Sequence, residues 1–188
     1  MSALLRGCRN PLRNRFVAGQ TVNRLTQQEP TRFRRQTVGF LSQAFNLIPN
    51  LTALENVALP MEFNGVAKAA RRLDRATSLL QRFNFGQRMK HRPGELSGGE
   101  MQRVAIARAV ANEPRLVLAG EPTGNLDSRS GQLVYELLRE IARERTVVVV
   151  THSEELARLA DRVMHIRDGQ LLDASRTDRP VSLASGRQ

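Results

Sequence analysis

The sequence predicts an α/β fold, because strand-like and helical patterns alternate along the chain. Leu116–Ala119 and Thr146–Val150 are continuous apolar runs, of the kind found in parallel strands that are buried on both faces. A helical pattern over Gly131–Arg143 separates these two runs and completes a strand–helix–strand unit. The fold class is therefore α/β with a parallel sheet.

Further elements extend this pattern in both directions. Thr37–Leu41 ("TVGFL") is predicted to be a short strand, and Ala53–Phe63 and Ala67–Phe83 have helical patterns. Beyond the last parallel strand, Asp168-Gly169 lies between two apolar stretches and predicts a hairpin turn. Residues 173–188 are rich in Ser, Arg and Pro without periodicity, which predicts a disordered tail.

Length and composition indicate one domain with a sizeable core, since the chain has 188 residues of which 40% are hydrophobic. The net charge is +11, and nearly all of the basic residues are arginines. Because they are spread along the chain, we do not expect a nucleic-acid groove. The single cysteine, Cys8, excludes an internal disulfide. Residues 1–17 lack the apolar stretch of a secretory signal, whereas an organellar transit segment stays open.

The most informative segment is "ELSGGEMQRVAIARAV", Glu95–Val110. Ser97 and Glu100 have the spacing of a capping box, and the residues that follow are good helix formers. Gly98 and Gly99 are unexpected there, because glycine in a helix costs about 1 kcal/mol relative to alanine. They indicate that something approaches the backbone closely. The pattern is compatible with a well-capped helix and with a phosphate site at the helix N-terminus.

Several motifs together resemble those of ABC transporter ATPases. "LSGGEMQRVAIARAV", "EPTGNLD" and "VVVVTHS" are similar, in order and spacing, to the signature motif, the Walker B end with the D-loop, and the switch-histidine loop. "FLSQAFNLIPNLTALENVALPMEF" resembles the Q-loop and the start of the helical subdomain in the lipoprotein-release, macrolide-export and cell-division subfamily. The resemblance implies an ABC-type P-loop NTPase core as one domain over residues 1–172, with a helical subdomain inserted at about 45–110.

The resemblance also implies roles for single residues. Gln43 would contact the metal ion, Mg²⁺, and the lytic water. Ser97, Gly98 and Gly99, with Glu100, would bind the γ-phosphate of an ATP held mainly by a second subunit. Without the neighbouring motifs, Gln43 would be taken for an ordinary loop residue after a strand.

Three residues of the later motifs would complete this site. The resemblance implies that Asp127 belongs to the D-loop at the dimer interface and that His152 contacts the γ-phosphate. Their structural alternatives are a helix-start acid for Asp127 and a hydrogen-bonded histidine at a strand end for His152. Because Pro122 disfavours a helical conformation at Glu121, that carboxylate is expected beyond the strand end, where it could polarise water. The family uses this residue as its catalytic base; an exposed strand-end acid is the alternative.

Two features depart from the family. Gly120 occupies the position of the Walker B aspartate and has no side chain to orient magnesium. The sequence also contains no G-x-x-x-x-G-K-[ST] segment, the loop that cradles phosphates. "SALLR", Ser2–Arg6, resembles the start of the helix after that loop, so we expect an N-terminally truncated core without the first strand. A wrong start, a frameshift and a shortened gene are all compatible with this beginning.

The expected function is that of an ATP-binding subunit of an ABC transporter, on the cytoplasmic face of the membrane. Its partners would be a membrane permease subunit and a second ABC ATPase subunit, in a homo- or heterodimer. Catalysis by the chain alone is expected to be impaired. The alternatives are a non-catalytic partner that lends its signature motif to an intact subunit, and a degenerate fragment. A nucleic-acid-binding protein is less consistent with "LTALENVALP", which is typical of the transporter class.

Overall fold

A computed structural model describes residues 16–26 and 29–176 of the chain. The chain divides into two compact units, with the boundary between Val150 and Thr151. Each unit is described by itself, and the extent of a single domain over residues 1–172 stays a prediction. Ser2–Arg6, Cys8 and residues 177–188 lie outside the described residues.

The first unit contains most of the regular structure. In chain order its elements are β1 (Phe16–Val17), β2 (Gln20–Thr21), α1 (Glu29–Thr37), β3 (Val38–Leu41), α2 (Ala53–Phe63), α3 (Ala69–Arg82), α4 (Gly98–Val110), β4 (Leu116–Gly120), α5 (Ser128–Ala142) and β5 (Thr146–Val150).

A three-stranded parallel sheet in the order β3–β4–β5 forms the centre of this unit. The middle strand pairs on both sides, so Val117 aligns with Gly39 on one neighbour and with Val147 on the other. Val117 and Ala119 are buried, as expected of a central strand covered by helices. The predicted α/β class and both apolar strands are confirmed. Thr37 was expected in β3, but it ends helix α1.

Helices α2, α3 and α4 pack against one another, and α4 also packs on β3. A Cβ placed on Gly39 would lie only 2.2 Å from the carbonyl oxygen of Ala109, so the close approach of α4 to β3 requires a glycine. Thr52 and Glu55 form a capping box that begins α2 at the expected residue. The limits of a helical subdomain, about 45–110, stay a prediction.

The core of the first unit runs from these helices to the sheet. Helix α5 begins three residues before the predicted start, because Asp127 caps its first turn. The largest fully buried apolar side chains of this core come from its helices and strands and from the residue after α3: Phe83, Leu41, Leu80, Ile106, Val57, Val104, Val117 and Val134.

The second unit contains α6 (Glu154–Arg158) and an antiparallel hairpin of β6 (Arg162–Arg167) and β7 (Gln170–Arg176). Asp168 and Gly169 have positive φ angles of 50° and 74°, which confirms the predicted turn. The prediction of a disordered tail from 173 onwards is wrong for 173–176. Those four residues pair with β6, and a partner strand supplies backbone hydrogen bonds whatever the composition.

No helix within residues 16–26 and 29–176 has the length and apolar character needed to cross a bilayer.

Two leucines of α3 allow a matched test of the core. Leu80 is completely buried, whereas Leu73 is 39% exposed. Leu80→Ala should lower the free energy of unfolding by about 2–5 kcal/mol, because it leaves a cavity in the core. Leu73→Ala should cost about 1 kcal/mol or less, since its site is open to solvent. Urea unfolding followed by circular dichroism measures both, and equal losses would contradict the described packing.

Candidate functional site

The Gln43 loop (Ser42–Asn46) and the Glu121 loop (Glu121–Asp127) meet at the carboxyl ends of β3 and β4. The Nε2 of Gln43 donates to Asn125 Oδ1 at 3.5 Å, and the Nδ2 of Asn125 donates to the carbonyl oxygen of Gln43 at 3.3 Å. A Cβ built on Gly124 would lie 3.0 Å from Gln43 Nε2 and 3.6 Å from Glu121 Cβ. Two of the predicted site residues, Gln43 and Glu121, therefore border the same glycine.

The start of helix α4 lies against both loops. The Cβ position of Gly98 is 3.3 Å from Leu126 Cδ2, 3.6 Å from the carbonyl oxygen of Asn125 and 3.9 Å from Phe45 Cζ. Ser97, the residue before the helix, is exposed. The first turn of α4, whose backbone N–H groups have no acceptor further along the helix, is thus next to the loops that carry Gln43 and Glu121.

The predicted capping box at the start of α4 is present. Ser97 Oγ accepts from the backbone N–H of Glu100 at 3.3 Å, and Glu100 Oε2 accepts from the backbone N–H of Ser97 at 2.8 Å. Arg88 adds a bifurcated contact, because its Nη1 lies 2.8 and 3.0 Å from the two carboxylate oxygens of Glu100. Its Nη2 donates to the carbonyl oxygen of Glu95 at 2.8 Å. Arg88 therefore supports the capped end from outside the helix.

Opposing effects act on the Glu100 carboxyl. Burial alone would raise its pKa, but the hydrogen bonds from Ser97 and the contact with Arg88 together outweigh burial and lower the pKa below its ordinary value of 4.5. Glu100 is therefore a carboxylate at neutral pH. Its negative charge at the N-terminus of α4 also interacts favourably with the helix dipole.

Gly99 is explained by packing within the chain. Its Cβ position lies 2.7 Å from Ser130 Oγ and 2.9 Å from Ser130 Cβ, and the residue is buried. The close approach that the two glycines indicate is therefore made, at Gly99, by helix α5. A contact of Gly99 with a phosphate stays a prediction, as does the phosphate role of Ser97, Gly98 and Glu100.

Glu121 lies just beyond β4 in a left-handed conformation with φ of 45°. This conformation costs a residue other than glycine about 1–2 kcal/mol, so the surroundings must stabilise it. Its N–H donates to the carbonyl oxygen of Val150 at 2.8 Å, and the Nε2 of buried Gln102 donates to the carbonyl oxygen of Pro122 at 2.6 Å. The expected position beyond the strand end is confirmed, and the role of catalytic base stays a prediction.

Asp127 caps helix α5. Its Oδ1 accepts from the backbone N–H of Ser130 at 3.0 Å, and the hydrogen bonds from Ser130 lower the pKa of its carboxyl. The structural alternative for Asp127, a helix-start acid, is thus present, and its place at a dimer interface stays a prediction.

His152 belongs to the second unit, in the exposed segment between β5 and α6. The next residue, Ser153, caps α6 by accepting from the backbone N–H of Leu156 at 3.3 Å. The contact of His152 with a γ-phosphate stays a prediction.

Metal-binding groups are sparse around the candidate site. Gly120 ends β4 opposite Val150 and offers no side-chain ligand. Among the residues that the structure describes, no cluster of three or more His, Cys, Asp or Glu side chains could hold a metal ion. Gln43 has an amide oxygen of the type that Mg²⁺ accepts, but its metal role stays a prediction.

The family model described as "ABC transporter" matches residues 4–124, well over half of the chain. The chain belongs to the ABC transporter family. Its match includes Gln43, Ser97–Glu100 and Glu121, whereas Asp127 and His152 lie beyond it.

Curated members of the ABC transporter family give the same result. The macrolide export ATP-binding/permease protein MacB of Brucella melitensis is 48% identical over 176 residues, which are 92% of this chain and 27% of that protein. The lipoprotein-releasing system ATP-binding protein LolD of Shewanella sp. (strain MR-4) is 48% identical over 158 residues, with coverage of 83% and 68%. The chain thus spans about a quarter of MacB and two thirds of LolD.

Solved ABC cassettes share the fold. The dimeric structure of the ATP-binding cassette MJ0796 in a post-hydrolysis state, bound to ADP and Pi, has a TM-score of 0.76 and 41% identity to this chain. The match covers 86% of this chain and 72% of that one. The fold is therefore that of an ABC-type P-loop NTPase core.

Several residues that shape the site could not be found from the sequence. They act through hydrogen bonds to residues distant along the chain, and they are Arg88, Gln102, Asn125 and Arg108. Periodicity and motif spacing report local structure, so they contain no signal for such pairs.

Gly99→Ala tests the contact between α4 and α5. Alanine normally stabilises a helix relative to glycine, yet the added methyl would collide with Ser130. We therefore expect the variant to lose about 1–3 kcal/mol of unfolding free energy. Gly94→Ala is the control, since open space surrounds that Cβ position. Urea unfolding measures both, and Gly99→Ala combined with Ser130→Gly should recover most of the loss. A stabilised Gly99→Ala variant would contradict the contact.

Glu100→Gln tests the electrostatics of the cap. Because the folded-state pKa of Glu100 lies below 4.5, its carboxylate stabilises the fold fully above that pH. This contribution is lost as the pH falls through the folded-state pKa. The difference in unfolding free energy between the parent and Glu100→Gln should thus be constant from about pH 7 to about pH 5.5 and shrink in more acidic buffer. Urea unfolding in a pH series checks this, and a pH-independent difference would argue against it.

Proposed function

We propose that the chain is the ATP-binding part of an ABC transporter and couples ATP to a membrane permease. The observation that carries this proposal is the meeting of the first turn of α4 with the loops that hold Gln43 and Glu121. The small region contains exposed Ser97, the backbone N–H groups of the first turn, the Gln43 amide and Glu121. This set of groups suits the terminal phosphate of a nucleotide and an attacking water.

Each candidate residue would have its own role at the nucleotide. The backbone N–H groups of Gly98 and Gly99 would donate to the γ-phosphate of an ATP bound chiefly by a second subunit. Ser97 would do the same once its hydroxyl turns away from Glu100 Oε2, to which it donates at 2.9 Å. Glu121 would accept a proton from water, Gln43 would contact Mg²⁺ and this water, and His152 would contact the γ-phosphate. Asp127 would lie at the interface between the two subunits, where it keeps α5 capped.

The groups of this chain fit the phosphate better than they fit the metal. The first turn of α4 offers N–H donors, as an anion requires. Mg²⁺ favours one or two carboxylates along with phosphate and water, and Gly120 supplies none. Gln43 and Glu121, whose side chains border Gly124, have oxygen atoms of the kind that could bind the ion. When bound, Mg²⁺ would neutralise charge on the phosphates.

The expected catalytic rate of these 188 residues alone is very low. No G-x-x-x-x-G-K-[ST] segment occurs in them. Removing one preorganised oxyanion donor costs about 3 kcal/mol, and a phosphate loop supplies several such donors and a lysine. A loss of roughly 10 kcal/mol corresponds to a rate reduction of about 10⁷-fold. The chain by itself would thus bind ATP weakly and hydrolyse it negligibly.

The partners in this proposal are a permease in the membrane and a second ABC ATPase subunit. The position would be peripheral, on the cytoplasmic face of the membrane. MacB is named as an ATP-binding/permease protein and LolD as the ATP-binding protein of a lipoprotein-releasing system, which supports a role in transport. The solved MJ0796 cassettes are dimers, which supports a second ATPase subunit.

A second candidate function is that of a non-catalytic partner. The capped first turn of α4 is complete and Ser97 is exposed, although the chain has no phosphate loop of its own. The chain could then complete the nucleotide site of an intact subunit in an asymmetric dimer.

Isothermal titration with MgATP separates these functions. We expect no saturable binding by the purified chain, and tighter binding by its mixture with an intact relative, such as LolD of Shewanella, than by that relative alone. Hydrolysis in the mixture should fall in Ser97→Arg and be unchanged in Ser78→Arg, which alters an exposed serine of α3. Ordinary turnover by the chain alone, lost in Glu121→Gln, would overturn the expected catalytic weakness. No binding by the chain, together with a mixture that binds MgATP no better than the relative alone, would support a degenerate fragment.

A further inference from the structure

The Gln43 loop has a conformation that its own residues disfavour. Phe45 and Asn46 follow each other with positive φ angles of 56° and 51°. Asparagine tolerates this left-handed region, but a bulky phenylalanine rarely adopts it. Three internal hydrogen bonds help to close the loop. The N–H of Phe45 donates to the carbonyl oxygen of Ser42 at 3.2 Å, and that of Asn46 donates to the carbonyl oxygen of Ala44 at 2.5 Å. Asn46 Nδ2 donates to Ser42 Oγ at 2.7 Å. Further support comes from outside the loop.

Arg108 of helix α4 supplies that support. Its Nη2 donates to the carbonyl oxygen of Phe45 at 2.6 Å, and its Nη1 donates to the carbonyl oxygen of Asn46. One planar guanidinium thus binds the carbonyl groups of both left-handed residues. A guanidinium suits this task because its N–H groups are fixed in a fork, whereas a lysine ammonium is a single point of charge.

The charge of Arg108 is stabilised by this contact. The side chain is partly buried, and burial lowers the pKa of its guanidinium. Within the described part of the chain, Arg108 forms no ion pair, unlike Arg82 and Arg88, which contact glutamates. The two carbonyl oxygens therefore replace the water that burial removes from the guanidinium. Release of the loop would leave a partly buried charge without these acceptors.

Gln43 lies inside the loop that Arg108 holds. Its backbone carbonyl accepts from Asn125 and its side chain donates to Asn125, so the loop conformation determines how Gln43 faces the Glu121 loop. We propose that Arg108 is a positioning residue, which holds Phe45 and Asn46 in their left-handed conformation and thereby aims Gln43 at the candidate site. The catalytic consequence of this positioning rests on the proposed function of Gln43.

Hydrogen exchange of the purified chain tests the positioning directly. In Arg108→Lys, the amides of Phe45 and Asn46 should exchange about tenfold faster or more, because a lysine ammonium lacks the fixed fork that binds both carbonyl groups. Val104, in the middle of α4, should keep its protection. Arg103→Lys is the matched control on the same helix, since no hydrogen bond joins Arg103 to the Gln43 loop in the described residues. The side-chain amide resonances of Gln43 should shift in Arg108→Lys only.

A second background distinguishes positioning from general stability. Phe45→Gly makes the left-handed conformation intrinsically favourable at the residue that disfavours it most and keeps the backbone hydrogen bonds of the loop, so the effect of Arg108→Lys on exchange at Asn46 should be several-fold smaller in that background. Unchanged exchange and Gln43 resonances in Arg108→Lys would overturn the proposal. So would faster exchange that is uniform through α4, or an effect that Phe45→Gly does not reduce.

The ATPase assay with the intact relative adds a separate readout. Arg108→Lys should lower turnover at saturating MgATP and leave the half-saturating ATP concentration unchanged, because Ser97 and Gly98 are untouched. A disturbed loop with unchanged turnover would uphold the positioning by Arg108 and count against the proposed function of Gln43. These measurements therefore separate a failure of this inference from a failure of the proposed function.

Discussion

The hydrogen bond from Gln102 Nε2 to the carbonyl oxygen of Pro122 lies in the interior of the first unit, where Gln102 has no exposed surface. In such an environment a hydrogen bond is stronger than in water, and its loss would leave a buried carbonyl group unsatisfied. Because Pro122 follows Glu121, this one bond holds the backbone beside the candidate carboxylate. It also fixes the Glu121 loop relative to α4, because Gln102 belongs to that helix and Pro122 to the loop.

Helix α4 makes two unusually close approaches as well. Gly39 allows the backbone of α4 to reach β3 at Ala109, and Gly99 allows Ser130 of α5 to reach the first turn of α4. Since neither contact has room for a methyl group, the helix cannot shift toward either neighbour. The first turn is therefore held beside both loops by steric contact, while Arg88 and Glu100 complete its cap through charge.

Some of the many arginines of this chain hold its segments together. Arg82 of α3 reaches Glu140 and Glu144 at 2.7 and 2.6 Å and so joins the helical layer to the end of α5. Hydrogen bonds to these glutamates raise the pKa of Arg82. Arg108, by contrast, binds backbone carbonyl groups. A long, permanently charged side chain thus serves both as an ion-pair partner and as a support for irregular backbone.

The sequence alone determined the elements whose signals are local. Apolar runs identified the strands of the parallel sheet, the Ser97–Glu100 spacing identified the cap of α4, and Asp168-Gly169 identified the hairpin turn. Motif order also indicated the family and most of the candidate residues. Each of these signals depends on neighbours within a few positions, or on a fixed spacing, and can therefore be read directly.

Only the tertiary structure decided how these residues are supported. The tail prediction was wrong at 173–176, because pairing with β6 outweighs composition. The partner of Gly99, the left-handed loops and the donors Gln102 and Arg108 all depend on contacts between segments distant in sequence. Gln102 is 20 residues from its acceptor and Arg108 is 63 residues from Phe45. Such contacts exist only after the chain has packed, because packing alone brings a buried donor to a distant carbonyl group.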